Sequence, residues 1–291
     1  MDGATIRTLV TGAAGMLGTA LLRTVGPPIE CIAATRLDAD LASAPQVDSL
    51  LSRHRPRCVI HTAAYADVDG CTRDPERAMR DNALASAVLA AACAARGARL
   101  VMVSTDYVFS GEKTVPYGVD DPPDPVNVYG ESKARAEAEL ARAASDYLIL
   151  RTQWLYGPGG RSFVAAILKR AAEGSPLRVV DDEFGSPTCT DDLARALWQA
   201  AVSAETGVMH VTNSGVCSRL ELARAALECA GMDGVAIDPI HSSEWPSATR
   251  RPLRAILDTR RWSETGHEPL AHWRDALAAC VPALCKELTI N

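Results

Sequence analysis

The sequence predicts an α/β protein with a doubly wound parallel sheet and a smaller α/β C-terminal lobe. Three observations carry this reading. Over the first 155 residues, short β-branched runs alternate with alanine- and leucine-rich runs of helical length, the signature of βαβ units. A glycine-rich turn joins the first strand to the first helix. At 291 residues, 47% hydrophobic and 23% charged, the chain is long and apolar enough to bury a core without disulfides or metal.

The elements follow in order. Residues 6–11 read as the first strand, followed by the glycine turn and a helix through Arg23. Residues 29–34 form a second strand, 45–54 a short helix and 58–61 a third strand. A long helix spans 75–96 and stops at Gly97, a helix C-cap. A fourth strand covers 99–104, a helix 129–144 and a fifth strand 147–152. The pattern loosens after about residue 155, where Gly157-Pro158-Gly159-Gly160 marks a break. A helix to about Ala172, a strand at 178–180, a helix at 191–202 and a strand at 209–212 follow. The remainder alternates helix with irregular stretches such as 238–252.

Composition excludes several classes. Thirty Lys and Arg against 36 Asp and Glu give a net charge of −6, which argues against a nucleic-acid partner. Nine cysteines without a C-x-x-C pair read as reduced thiols filling a core. Six scattered histidines lack ligand spacing, so no metal is expected. The longest low-polarity run, 83–95, falls short of the ~20 residues of a membrane span. The first strand begins too early for a leader peptide. The expectation is a soluble cytoplasmic protein, monomer or homodimer, with neither membrane nor nucleic acid as partner.

Gly12-x-x-Gly15-x-x-Gly18 lies directly between strand and helix. Such a turn lets backbone N–H groups approach a pyrophosphate at a helix N-terminus, and lets helix pack on strand. Gly12, Gly15, Met16, Leu17 and Gly18 are therefore candidate cofactor-binding residues of a Rossmann-like domain. Thr35-Arg36 closes the second strand, where an acidic residue would grip the ribose of NAD and an arginine meets a 2′-phosphate. NADPH is the expected cofactor, with NADH the alternative. Asp40 and Leu41 follow, with the carboxylate placed toward the adenine amine. Residues 1–155 are expected to form the NAD(P)-binding domain, completed by about 188–214. Residues 156–291 supply mainly a substrate lobe interleaved with it.

Tyr129 and Lys133 stand four apart on the 129–144 helix and so share a face. An adjacent ammonium favours phenolate and lowers a phenol's pKa from near ~10. Thr105 ends the fourth strand, at the sheet edge where ligands of such folds bind, and can hydrogen-bond a substrate carbonyl. Asn82, in the helix before that strand, is placed for a backbone or water link to Lys133.

Together, Gly12-x-x-Gly15-x-x-Gly18, Thr105 and Tyr129-x-x-x-Lys133 resemble the extended short-chain dehydrogenase/reductase superfamily. More narrowly, Ser104-Thr105-Asp106-Tyr107-Val108-Phe109, Asn127 to Lys133, Arg151-Thr152-x-Trp154-x-Tyr156-Gly157, Phe184-Gly185-Ser186-Pro187-Thr188 and Arg250-Arg251-Pro252 resemble the dTDP-4-dehydrorhamnose reductase family. The resemblance spans nearly the whole chain. It implies reduction of the C4 ketone of a dTDP-linked 4-keto-6-deoxyhexose, giving dTDP-L-rhamnose or a related deoxysugar. It makes Thr105, Tyr129 and Lys133 catalytic and puts Ala63, Ala64, Tyr65 and Asn82 in the cofactor cleft. Val68, Ser104, Asp106, Trp154 and Arg251 fall on the substrate side. Alternatives are a non-catalytic NADP-binding regulatory subunit and a sugar-nucleotide epimerase. Related dehydratases carry Thr-Asp-Glu where this chain has Thr105-Asp106-Tyr107, which disfavours dehydration. The chain departs from the family at Ser162-Phe163, where Asn-Phe is frequent. It departs again at Met16, where some members have a glutamate linked to magnesium.

Overall fold

The computed structural model describes residues 5–247 and 249–290, so Ala248 of the irregular 238–252 stretch lies outside the described residues. The first half runs β1 (Ile6–Thr11), α1 (Met16–Thr24), β2 (Ile29–Ala34), α2 (Ala44–His54), β3 (Cys58–His61), α3 (Val68–Arg73) and α4 (Pro75–Ala78). A π-helical segment over Met79–Leu84 leads into α5 (Ala85–Ala94), then β4 (Arg99–Thr105), a 3-10 turn at Asp106–Val108, α6 (Val128–Ala143) and β5 (Tyr147–Thr152). The second half runs β6 (Leu155–Tyr156), α7 (Phe163–Ala172), β7 (Leu177–Val180), β8 (Phe184–Gly185), β9 (Thr188–Cys189) and α8 (Thr190–Val202). It continues through β10 (Gly207–His210), β11 (Cys217–Ser218), α9 (Arg219–Cys229), β12 (Ile237–Ile240), α10 (Arg260–Glu264) and α11 (Trp273–Glu287).

Six strands form one sheet in the order β10-β5-β4-β3-β1-β2, and every pair is parallel. Successive side chains of a strand face opposite ways, and the buried strands use both faces. Val10, Ile60 and Val101 pack under α1 and α8, while their neighbours Leu9, Val59 and Leu100 pack under α2, α5 and α6. Both faces being covered explains why these strands read as continuous apolar runs rather than alternating ones. A separate core joins α7, α9 and α11 through Leu168, Leu222 and Leu277, and three two-stranded ribbons complete that half. The chain turns from β2 back across β1 to β3, so Gly12 and Thr62 flank the switch point of the sheet, where ligands of open α/β folds bind.

The expected helix at 75–96 is interrupted. Asp74 caps α4 by accepting from Arg77 N, and the π-helical turn that follows carries Asn82 into the interior. Gly97 ends α5 at φ +61°, as a left-handed cap requires. The strand expected at 209–212 lies two residues earlier, where β10 pairs with β5 from Gly207 opposite Leu148. Among the described residues no helix is long and apolar enough to cross a membrane.

Candidate active site

The glycine turn is built by close approach. Gly12 has φ +73°, and a Cβ there would lie 2.7 Å from Ala63 N. A Cβ on Gly18 would lie 2.2 Å from Gly12 O, so α1 can sit against the turn only with glycine at that position. Gly15 caps α1 and donates to Gly12 O at 2.9 Å. Leu17, expected at the cofactor, turns its side chain into the core beneath the sheet, leaving only its backbone toward the turn. Met16 packs its side chain toward Gly160, where a Cβ would lie 2.7 Å from Met16 Cβ.

A groove of about 960 Å³ runs from Gly12 and Gly15 past Arg36, Asp40 and Leu41 to Ala63 and Ala64. This cradle at a helix N-terminus fits the pyrophosphate and adenosine of a dinucleotide. Its far wall holds an arginine cluster on two aspartates. Asp81 lies 3.6 Å from Arg36 Nη2, 3.4 Å from Arg77 Nε and 2.7 Å from Arg80 Nη1. Asp40 is paired with Arg80, so its carboxylate is committed to a guanidinium rather than standing free for an adenine amine. Sequence reasoning missed Arg77 and Arg80, whose only signal is their spacing in Pro75-Glu76-Arg77-Ala78-Met79-Arg80.

The catalytic candidates meet at the strand ends. Thr105, buried at the end of β4, lies 3.1 Å by Oγ1 from Asp106 Oδ1 and accepts from Tyr107 N at 3.2 Å. The Tyr129 ring sits edge-on to Tyr107 with centroids 5.6 Å apart. Burial pushes the Tyr129 phenol above its ordinary range, and a hydrogen bond with Thr105 pulls against that. Lys133 is also buried and donates to Val103 O at 2.8 Å. Burial lowers its pKa to about 8, while the nearby Glu137 raises it. The expected depression of Tyr129 by Lys133 is thus not met. Desolvation of the phenol dominates, and the ammonium is spent on a carbonyl.

Asn82 does not reach Lys133 itself. Its Oδ1 accepts from Tyr65 N at 2.7 Å, and its Nδ2 donates to Tyr65 O at 3.1 Å and Ser132 Oγ at 2.9 Å. It therefore ties the loop after β3 to the residue next to Lys133. The Tyr65 ring lies under the Arg77 guanidinium, 4.1 Å away. Burial pushes Asp106 up to about 7, opposed by hydrogen bonds from Gln153 and Thr105. The Ser104 hydroxyl is buried without a protein partner among the described residues.

On the far side, Trp154 adopts φ +49°. The Arg219 guanidinium lies 3.5 Å from its ring centroid, and a Cβ on Gly185 would lie 2.5 Å from the ring. The indole is held by protein groups rather than standing open. Val68 opens α3. Its neighbour Asp69 binds Arg251 at 3.0 and 3.1 Å, and Arg251 also donates to Ser247 Oγ at 2.7 Å. Arg251 is thus paired across to α3 rather than free. Arg219 and Gln153 also belong to this region and carried no sequence signal of their own.

A dinucleotide groove at the switch point of a parallel sheet, with a strand-end threonine beside a Tyr-x-x-x-Lys helix, defines an oxidoreductase of the short-chain dehydrogenase/reductase class. The family model described as "RmlD substrate binding domain" matches residues 6–285, and the chain belongs to that family. The chain is 40% identical over 288 residues to a dTDP-4-dehydrorhamnose reductase of Streptomyces griseus, covering 96% of this chain and 94% of the relative. It is 39% identical over 272 residues to the spore coat polysaccharide biosynthesis protein SpsK of Bacillus subtilis, covering 93% and 95%. Among solved structures, a dTDP-4-dehydrorhamnose reductase of Bacillus anthracis in complex with NADP superposes with a TM-score of 0.93 at 31% identity, covering 96% of this chain and 99% of that one.

Proposed function

We propose that this chain reduces the C4 ketone of a dTDP-linked 4-keto-6-deoxyhexose, with NADPH as preferred reductant and NADH as the weaker alternative. One observation carries the reading: Thr105, at the end of β4, hydrogen-bonds Tyr129, and Lys133, one turn further along α6, donates to Val103 O of the same strand. The substrate class rests on the relatives, which include reductases named for dTDP-4-dehydrorhamnose and for dTDP-4-keto-6-deoxy-D-glucose. Nine free thiols suit a reducing cytoplasm.

Bound NADPH supplies the hydride. The chain's own residues handle charge and proton. Reduction consumes an acid, and a phenol raised by burial keeps its proton at neutral pH. Tyr129 Oη therefore holds the proton that the ketone oxygen takes as it gains charge. Thr105 Oγ1 steadies that oxygen by hydrogen bonding. Lys133 would hold the nicotinamide ribose with the N–H groups that its bond to Val103 O leaves over, and Arg36, Arg77 and Arg80 gather positive charge at the adenosine end. Arg219 and Arg251 flank the sugar side, each paired with a carboxylate, Glu183 and Asp69. At the adenosine end three guanidiniums stand against the carboxylates of Asp40 and Asp81, a local positive excess for a polyanionic ligand on a chain of net charge −6.

Tyr129→Phe tests the reading. NADPH oxidation with a dTDP-4-keto-6-deoxy sugar is expected to fall by about 10²–10⁴-fold, with NADP⁺ affinity within about twofold of the parent. Undiminished turnover removes Tyr129 from the mechanism. Tight NADP⁺ binding without turnover on any such sugar in the parent favours a regulatory subunit.

A further inference from the structure

Gln153 is almost fully buried, one residue beyond β5. Its Oε1 accepts from Ser186 N at 2.8 Å, and its Nε2 donates to Ala255 O at 3.1 Å and to Asp106 Oδ2 at 3.0 Å. The orientation of a side-chain amide is a matter of partners, and here two independent ones dictate it. Ser186 N can only donate and Ala255 O can only accept, so the amide nitrogen must face Asp106. Asp106 Oδ2 is thereby an acceptor in every protonation state. A proton on this carboxyl can reside only on Oδ1, the oxygen that faces Thr105 Oγ1 at 3.1 Å.

Resting on the reductase reading, we propose that Gln153 is a positioning residue. It fixes the Asp106 carboxyl against Thr105, so that this carboxyl decides whether the Thr105 hydroxyl donates to the substrate oxygen or away from it. A hydroxyl has one proton and two lone pairs. With Asp106 ionised, the Thr105 proton goes to Oδ1 and is lost to the substrate. With Asp106 neutral, its O–H and Tyr107 N–H fill both lone pairs of Oγ1, and the Thr105 proton is released toward the Tyr129 side, where the ketone oxygen gains charge. The same carboxyl would thus orient the second donor that the reaction needs.

The surroundings of the carboxyl agree. Burial holds Asp106 near pH 7, and the Gln153 hydrogen bond pulls it down. The groups facing it from the surrounding elements are few. The Arg219 guanidinium, from α9, lowers it, and is itself paired with Glu183 at 3.4 Å. Tyr107 and Tyr129, from the 3-10 turn and α6, are both raised by burial and so remain neutral. Cys71 of α3 and Arg251 act on those phenols.

The test is kcat against pH from 5.5 to 9 for the parent, Gln153→Leu and Gln153→Met, with ¹³C NMR titration of the aspartate carboxyl carbons in the same proteins. Asp106→Asn identifies the resonance. The parent is expected to lose turnover as pH rises through about 7. Removing one hydrogen bond to the charged carboxylate should move both the Asp106 titration and that limb upward by about one to two pH units. A merely structural role for Gln153 would lower kcat without moving the limb. An Asp106 titration unmoved in both folded variants overturns the proposal, as does a limb that stays in place while the carboxyl shifts. Failure to reduce any dTDP-4-keto sugar refutes the reductase reading instead, and the carboxyl titration then still decides whether Gln153 holds Asp106.

Discussion

The helix that carries Tyr129 and Lys133 is clamped to the sheet by one ion pair, and breaking that pair tests how the site is held. Glu137 lies one turn after Lys133 on α6, and Arg151 lies on β5. Their side chains are 7% and 4% exposed. Arg151 reaches both carboxylate oxygens, through Nε at 3.0 and 3.2 Å and Nη2 at 2.6 Å. Its guanidinium also lies 5.0 Å from the Phe109 ring centroid. Truncating one partner of such a pair leaves a buried charge without compensation, a loss of about 3–5 kcal/mol. Replacing both by apolar residues of similar volume removes the desolvation cost as well and is often neutral. Urea unfolding of Arg151→Met should therefore show a loss of about 3–5 kcal/mol, and Arg151→Met with Glu137→Met should recover most of it. The coupling from the double-mutant cycle should exceed about 2 kcal/mol. A single-variant loss below about 1 kcal/mol, or a double variant as unstable as the sum of the singles, refutes the reasoning.

Other outcomes follow from the same geometry. Arg36 is three-quarters exposed, so its bond to a 2′-phosphate is discounted to about 1 kcal/mol. Arg36→Ala should then raise KM for NADPH about fivefold and leave KM for NADH within twofold, whereas equal changes for both exclude a 2′-phosphate contact. Gly18→Ala places a Cβ 2.2 Å from Gly12 O and should weaken NADPH binding at least tenfold by calorimetry, and unchanged affinity means that α1 shifts freely. Burial lowers His61 to about 3 from 6.5. Between those values the unfolded chain binds a proton that the native state refuses, so stability falls as pH falls through this window. His210 acts in the same direction and Asp106, raised toward 7, in the opposite one, but both are common to parent and variant. His61→Gln should therefore flatten the urea-midpoint slope between pH 6.5 and 4.5 by about one proton, and an identical slope refutes a neutral buried His61.

Local signals were legible wherever a short stretch determines its own geometry. The first three strands stand where β-branched runs end at glycine or at polar turns, and Gly97 closes its helix as its type requires. The strand end at Thr105 and the shared helical face of Tyr129 and Lys133 were legible because both are local facts. The π-helical turn was invisible, because it exists to bring Asn82 against the backbone of Tyr65, 17 residues away. The resemblance puts Trp154 on the substrate side, and nothing in its sequence neighbourhood reveals Arg219 lying over its ring. The resemblance puts Arg251 there too, and its partner Asp69, 182 residues distant, is equally invisible locally.

What the sequence determined by itself was the frame: alternating strands and helices, a glycine turn that admits only a close backbone, and a tyrosine and lysine on one helical face. These follow from backbone sterics and periodicity, which act over a few residues. Tertiary structure decided the electrostatics. Lys133 donates to a strand carbonyl, Tyr129 is raised rather than lowered, and burial lifts Asp106 to about 7 against the hydrogen bond from Gln153. Desolvation depends on everything packed around a group, and that packing is assembled from β3, β4, β5, α6 and the loops of the second half. A spacing rule places a lysine beside a tyrosine, but only the surrounding dielectric and the nearest acceptor decide which of them holds the proton.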